Sequence, residues 1–289
     1  MNRIYLTIVL LSLLVTSACV PLEPAAVSAS STSGSTLHEL IITATAEGWD
    51  TPESVPAGWT EVTVINESDG RRQAAFLRLD DDKTMDDVFA AIEAGMRGHA
   101  EWMTAYGGVS GVQPGTSRTV TVNLSAGQYI VIDPVPGADG VPGMAKGYFM
   151  PLIVEESDAE TAPPTADMAI ELVDYAFIFD YEAVTAGSHT IQVINSGPQE
   201  AHEVIFIKLN KGATVQDFLA ALAPDAPEGP PPGRSVAGTA AFDTVTQNYL
   251  EVEFEAGATY GLVCFLPSTQ QDGQRHHMLG MVGQFTVPG

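Results

Sequence analysis

The chain repeats itself once, at an offset of about 130 residues, so whatever fold it adopts must be adopted twice. Ala57-Gly58 leads into EVTVINES, and Ala186-Gly187 leads into TIQVINSG. QAAFLRLDDDKTMDDVFAAI from Gln73 is matched by EVIFIKLNKGATVQDFLAAL from Glu203, and AGQYIVIDPVPGADG from Ala126 by AGATYGLVCFLPSTQQDG from Ala256. A period this long is the duplication of a whole domain, not a solenoid repeat. Within each copy, β-branched residues alternate or run apolar between Gly, Pro and Asn, as in TEVTVI, AFLRL and QYIVI and then HTIQVI, EVIFIKL and LEVEF. That pattern predicts short strands. Thr84 with Asp87, and Thr214 with Asp217, have the spacing of capping boxes and open one short helix per copy. The expected fold is all-β: two tandem β-sandwiches of Greek-key type, each with one short helical insertion.

The N-terminus, MNRIYLTIVLLSLLVTSAC, has one basic residue, Arg3, before an apolar run from Ile4 to Val15. The run is short for a membrane span and has the layout of an export signal. Its end, Val15-Thr16-Ser17-Ala18-Cys19, resembles a bacterial lipobox, although Thr16 stands where Leu, Val or Ile is usual. This resemblance implies lipidation of Cys19 and attachment to the extracytoplasmic face of the cell membrane. The expected organisation is a signal peptide over 1–19 and a Ser/Ala/Pro-rich tether over 20–36. Domains over 37–155 and 167–289 follow, separated by an acidic, Pro-containing linker over 156–166. A formal net charge of −24 argues against nucleic-acid binding, which requires a basic surface. With Cys19 lipidated, Cys264 has no cysteine left to pair with.

Cys264 lies in CFLPSTQQDGQRHHMLGM, which also holds His276, His277, Met278 and Met281. Upstream, His202 stands in AHEVIF, at the start of a predicted strand. Taken singly these residues have ordinary explanations: a free Cys on an apolar strand is commonly a small buried hydrophobe, and Met fills core gaps. Their order and context resemble the cupredoxins, the blue-copper β-sandwich family, over roughly residues 167 to 289. The resemblance implies one type 1 copper held by His202, Cys264, His276 and Met281, and single-electron transfer to a partner protein. A thiolate with two imidazoles and a weak thioether suits copper in either oxidation state, whereas zinc has no use for the thioether. Eleven residues separate Cys264 from His276, longer than in many small cupredoxins, and His277 remains an alternative ligand.

In the first copy Arg72, Asp133, Gly143 and Tyr148 fall opposite the four candidate ligands, so that copy is expected to bind no copper. It would then serve as a spacer or docking surface. The main alternative function is a metal-free binding or structural module of the same fold. The chain has six histidines, no His-x-His pair, and Val263 before Cys264. On that basis it is expected not to be an enzyme.

Overall fold

The computed structural model describes residues 36–289 apart from 95–98, 138 and 224. The expected signal peptide, Cys19 and nearly all of the expected tether lie outside the described residues. In the first copy the strands are β1 (His38–Ala44), β2 (Trp49–Asp50), β3 (Ser54–Pro56), β4 (Gly58–Asn66), β5 (Arg72–Leu79), β6 (Met103–Val112), β7 (Ser117–Leu124), β8 (Gly127–Ile132) and β9 (Phe149–Glu155). Helix α1 (Met85–Glu93) interrupts them. The second copy runs β10 (Met168–Val173), β11 (Ala176–Phe179), β12 (Gly187–Asn195), β13 (Ile205–Leu209), α2 (Val215–Ala220), β14 (Gly233–Gly238), β15 (Gln247–Phe254), β16 (Thr259–Val263) and β17 (Val282–Thr286).

The strands follow the alternation in the sequence. In β4, Thr60, Val62, Val64 and Asn66 are buried while the residues between them are half-exposed, and β12 repeats this at Ile191, Val193 and Asn195. Burying every second side chain is what lets each strand line one face of a sandwich. The helices begin where expected. Thr214 accepts from the Asp217 N–H at 3.1 Å while the Asp217 carboxylate accepts from the Thr214 N–H at 2.8 Å. In the first copy the Asp87 carboxylate accepts from both the N–H and the hydroxyl of Thr84.

The topology is duplicated as well. β1 lies parallel to β4, and β10 lies parallel to β12. Opposite them stand the sheets β3-β9-β8-β5-β6 and β14-β13-β16-β17. The halves are nevertheless not separate bodies joined by a linker. β15 pairs antiparallel with β7, producing one eight-stranded sheet in the order β11-β10-β12-β15-β7-β4-β1-β2. β6 also bonds to the segment before β15: Gly107 N–H donates to Ala241 O, Ala240 N–H to Gly108 O, and Asp243 N–H to Ala105 O. Residues 156–166 are pinned too, since Trp59 N–H donates to Thr161 Oγ1 at 2.8 Å. The first copy is therefore not a loosely attached spacer, and a shared sheet rather than the linker sets its orientation.

Asn248 secures this joint. It is fully buried, accepts from Gly108 N–H at 3.2 Å and donates to Tyr106 O at 3.1 Å. Gly107 is required beside it, because a Cβ there would lie 2.1 Å from the Asn248 oxygen. Asn248→Ala removes the partner of the buried Gly108 N–H and of the half-buried Tyr106 carbonyl and is expected to lower stability by about 2 kcal/mol. Urea unfolding should show this as an earlier midpoint of a single transition for both halves. Two separated transitions in the wild-type chain would contradict the joint.

Candidate metal centre

Four segments deliver the candidate ligands to one end of the second sandwich. His202 precedes β13 and is held by backbone bonds in both directions with Phe242. Cys264 directly follows β16, and its N–H donates to Met281 O at 3.3 Å. His276 opens a 3-10 turn, His276–Leu279, and its carbonyl accepts the Met281 N–H at 2.9 Å. Gly280 ends the turn at φ 117°, a conformation L side chains avoid, and turns the chain into β17. Asn195, at the end of β12, donates from Nδ2 to Phe242 O at 2.7 Å and to Glu200 O at 3.2 Å, bracing the loop that carries His202.

The side chains converge. His202, Cys264 and His276 are all buried, and one potential ligand atom from each lies within 4.8 Å of the others. His202 Nδ1 faces His276 Nδ1 at 3.1 Å, and Cys264 Sγ is 3.4 Å from His276 Nδ1. Met281 is fully buried in the same core cluster as Cys264. His277 is excluded from the cluster: its backbone N–H and Nδ1 both approach Cys264 O, and its ring packs on Phe265. Successive residues of a 3-10 turn point about a third of a turn apart, so only one of the two histidines can face inward.

Carboxylates stand behind both imidazoles. His202 Nε2 is 3.0 Å from Asp174 Oδ1, and His276 Nε2 is 3.2 Å from Glu200 Oε2, the latter contact poorly aligned as a hydrogen bond. Close packing enforces the first, since a Cβ on Gly197 would lie 2.5 Å from both His202 Nε2 and Asp174 Oδ1. Neither carboxylate was identified from the sequence. Glu200 lies two residues before His202, which is the only local signal, and Asp174 has none because it arrives from the β10–β11 turn.

The electrostatics suit a cation. Burial pushes both His202 and His276 down, keeping the imidazoles neutral and able to donate lone pairs. Burial also pushes the Cys264 thiol up, and the nearby Glu203 carboxyl adds to the rise. Glu203 itself is raised to about 7 by burial. Burial would raise Glu200 too, but hydrogen bonds from Tyr175 and Thr269 outweigh it and bring the carboxyl to about 2. Two neutral ring nitrogens and a sulfur packed this closely repel through their lone pairs unless a proton or a metal lies between them. With the outer nitrogens facing carboxylates, Nδ1 is left for the metal on each ring. The donor set fits copper: His202, Cys264 and His276 would hold the ion, which supplies one-electron redox chemistry when bound.

The first copy keeps the same backbone frame without the ligands. Asp133 N–H donates to Tyr148 O, Met144 N–H to Asp133 O and Tyr148 N–H to Gly143 O, matching bonds made by Cys264, His277 and Met281. Inside that frame Arg72 Nη1 lies 3.8 Å from Asp133 Oδ2, and its guanidinium sits 3.7 Å from the centre of the Tyr148 ring. A Cβ on Gly143 would meet Asp133 at 2.3 Å, leaving no room for a histidine there. The four residues aligned with the ligands thus form a buried cluster containing its own cation.

The fold is that of two cupredoxin-like domains in tandem, with a His-Cys-His cluster in the second. Among solved structures the chain is similar to auracyanin from Roseiflexus castenholzii, at 19% identity over 43% of this chain and 100% of that one, with a TM-score of 0.31. It is also similar to copper nitrite reductase from Nitrosomonas europaea, at 13% identity over 88% of this chain and 95% of that one, with a TM-score of 0.25. A multicopper oxidase matches at 14% identity over 86% of this chain and 87% of that one, with a TM-score of 0.23. No protein-family model and no curated protein sequence matches the chain. The expectation that the chain is not an enzyme is corrected here. Structures similar over most of its length include multicopper oxidases and copper nitrite reductases.

Proposed function

We propose that this chain is an extracytoplasmic electron-transfer protein that would hold one type 1 copper in its second domain through His202, Cys264 and His276, with Met281 as a weak fourth ligand. The observation that carries this reading is the convergence of two imidazole Nδ1 atoms on a buried thiol. A site assembled on strand ends and braced by Asn195 and Phe242 changes little between oxidation states, which favours fast single-electron exchange.

Copper titration of the full chain tests it. One equivalent is expected to bind, with intense visible absorption from thiolate-to-copper charge transfer. Met281→Leu should keep the colour and alter the reduction potential. A colourless wild-type protein with Cys264 reduced would favour the metal-free binding module, and two tight equivalents would mean that the first copy binds copper as well.

Membrane attachment through Cys19 belongs to the same proposal, because a diacylated cysteine anchors stably where one acyl chain holds only marginally. Cys19→Ser is expected to move the protein from the membrane fraction to the soluble one. If a salt wash alone releases the unmutated protein, the anchor is not a lipid.

A further inference from the structure

We infer that Glu200 is a positioning residue of this centre: its buried carboxylate holds His276 with Nε2–H turned outward and Nδ1 inward, and its negative charge lowers the reduction potential of the bound copper. The second half of this inference rests on the copper reading above; the first does not.

Glu200 is a hub. Its side chain is 3% exposed. Oε1 accepts from the Thr269 N–H, from the Thr269 hydroxyl at 2.8 Å and from Gln270 N–H at 3.3 Å. Oε2 accepts from the Tyr175 hydroxyl at 2.7 Å and faces His276 Nε2. Tyr175 in turn lies 3.1 Å from Ser268 Oγ and sets its ring edge-on to His276, with centroids 5.2 Å apart. One carboxylate therefore ties the long Cys264–His276 loop, the β10–β11 turn and the candidate ligand together. Among the described contacts it is the one carboxylate facing His276 Nε2, so it fixes which ring nitrogen points outward.

The protonation of the ring follows. A neutral imidazole carries one proton, and the nitrogen that binds a metal cannot be the one that carries it. Beside His276 Nε2 stands Glu200, an acceptor once ionised, while Nδ1 faces the other candidate ligands. Asp174 plays the corresponding part for His202, but its side chain is 21% exposed and its charge is screened by water. Glu200 is sealed, so its charge acts through a lower dielectric. Copper loses one positive charge on reduction, and a fixed anion stabilises the oxidised ion more. Hence the potential falls.

Two measurements on the full chain test this. In the metal-free protein, nitrogen NMR is expected to find the His276 proton on Nε2, with the Cys264 thiol donating to Nδ1, and Glu200→Gln is expected to shift population toward Nδ1–H. A wild-type His276 protonated at Nδ1 overturns the positioning role. In the copper-loaded protein, Glu200→Gln keeps the side chain's size and an acceptor oxygen but removes the charge. An upward shift in potential with the visible band retained is expected, and an unchanged or lower potential overturns the charge effect. A colourless wild-type chain would remove the copper reading and the effect on potential with it, while the NMR result still decides the positioning.

Discussion

Cys264→Ser is expected to abolish the visible absorption of the copper-loaded chain completely and to weaken copper binding by more than the roughly 10–100-fold that loss of an outer-sphere partner costs. The sulfur is the soft donor of the set and lies 3.4 Å from His276 Nδ1 in a fully buried position. A hydroxyl there is harder and does not ionise at neutral pH, so the charge-transfer transition has no donor orbital. The substitution also places an alcohol among Val263, Phe265 and Met281, with an expected loss of about 1–3 kcal/mol in the metal-free protein if the hydroxyl finds no partner. Absorption spectra, copper titration and urea unfolding of the metal-free chain separate these effects. A serine variant that stays coloured would remove Cys264 from the site.

Arg72→Met is expected to have a comparably large effect in the first copy, on stability and in a pH-dependent way. Asp133 is fully buried, and burial raises its carboxyl to about 6 even with Arg72 nearby pulling it down. Removing the guanidinium takes away the pull and the stacking on Tyr148, so the Asp133 pKa rises further. An acid whose pKa is higher in the folded than in the unfolded state contributes stability that is present at low pH and lost as pH climbs through the folded value. At pH 5 the variant's Asp133 is protonated and the cost is mainly packing. At pH 8 an unpaired carboxylate must be buried or must hold its proton against the solution, and the cost should approach about 3 kcal/mol. Urea unfolding of the metal-free variant and wild type at both values reads this difference. A cost independent of pH would mean that Asp133 and Arg72 do not act as a pair.

The two predictions concern one frame filled in two ways. Both copies end their sandwiches with the same turn, closed by Gly147 in one and Gly280 in the other, both with φ in the left-handed region. In the second copy the enclosed space is lined by two imidazoles and a thiol; in the first it holds Arg72, Asp133 and Tyr148. A covalently attached cation can thus stand where the duplicated copy offers donors to a metal, and the sandwich persists because strand alternation and core packing specify it.

The sequence by itself determined the duplication, the all-β class, the paired helical insertions and the order of His202, Cys264, His276 and Met281. These are legible because strand alternation, capping spacing and repeat register are local properties of a chain. Tertiary structure alone decided the rest. It turned His276 inward instead of His277, because one residue's rotation in a 3-10 turn depends on which side the sandwich lies. It brought Asp174 to His202 and Glu200 to His276, contacts between segments far apart in the chain that no periodicity announces. It also merged the halves through β7 and β15, where Tyr249 and Leu250 are buried in succession and the alternation that marks a one-sided strand disappears. Desolvation, which keeps the imidazoles neutral and makes the Glu200 charge count, exists only once these segments have closed over one another.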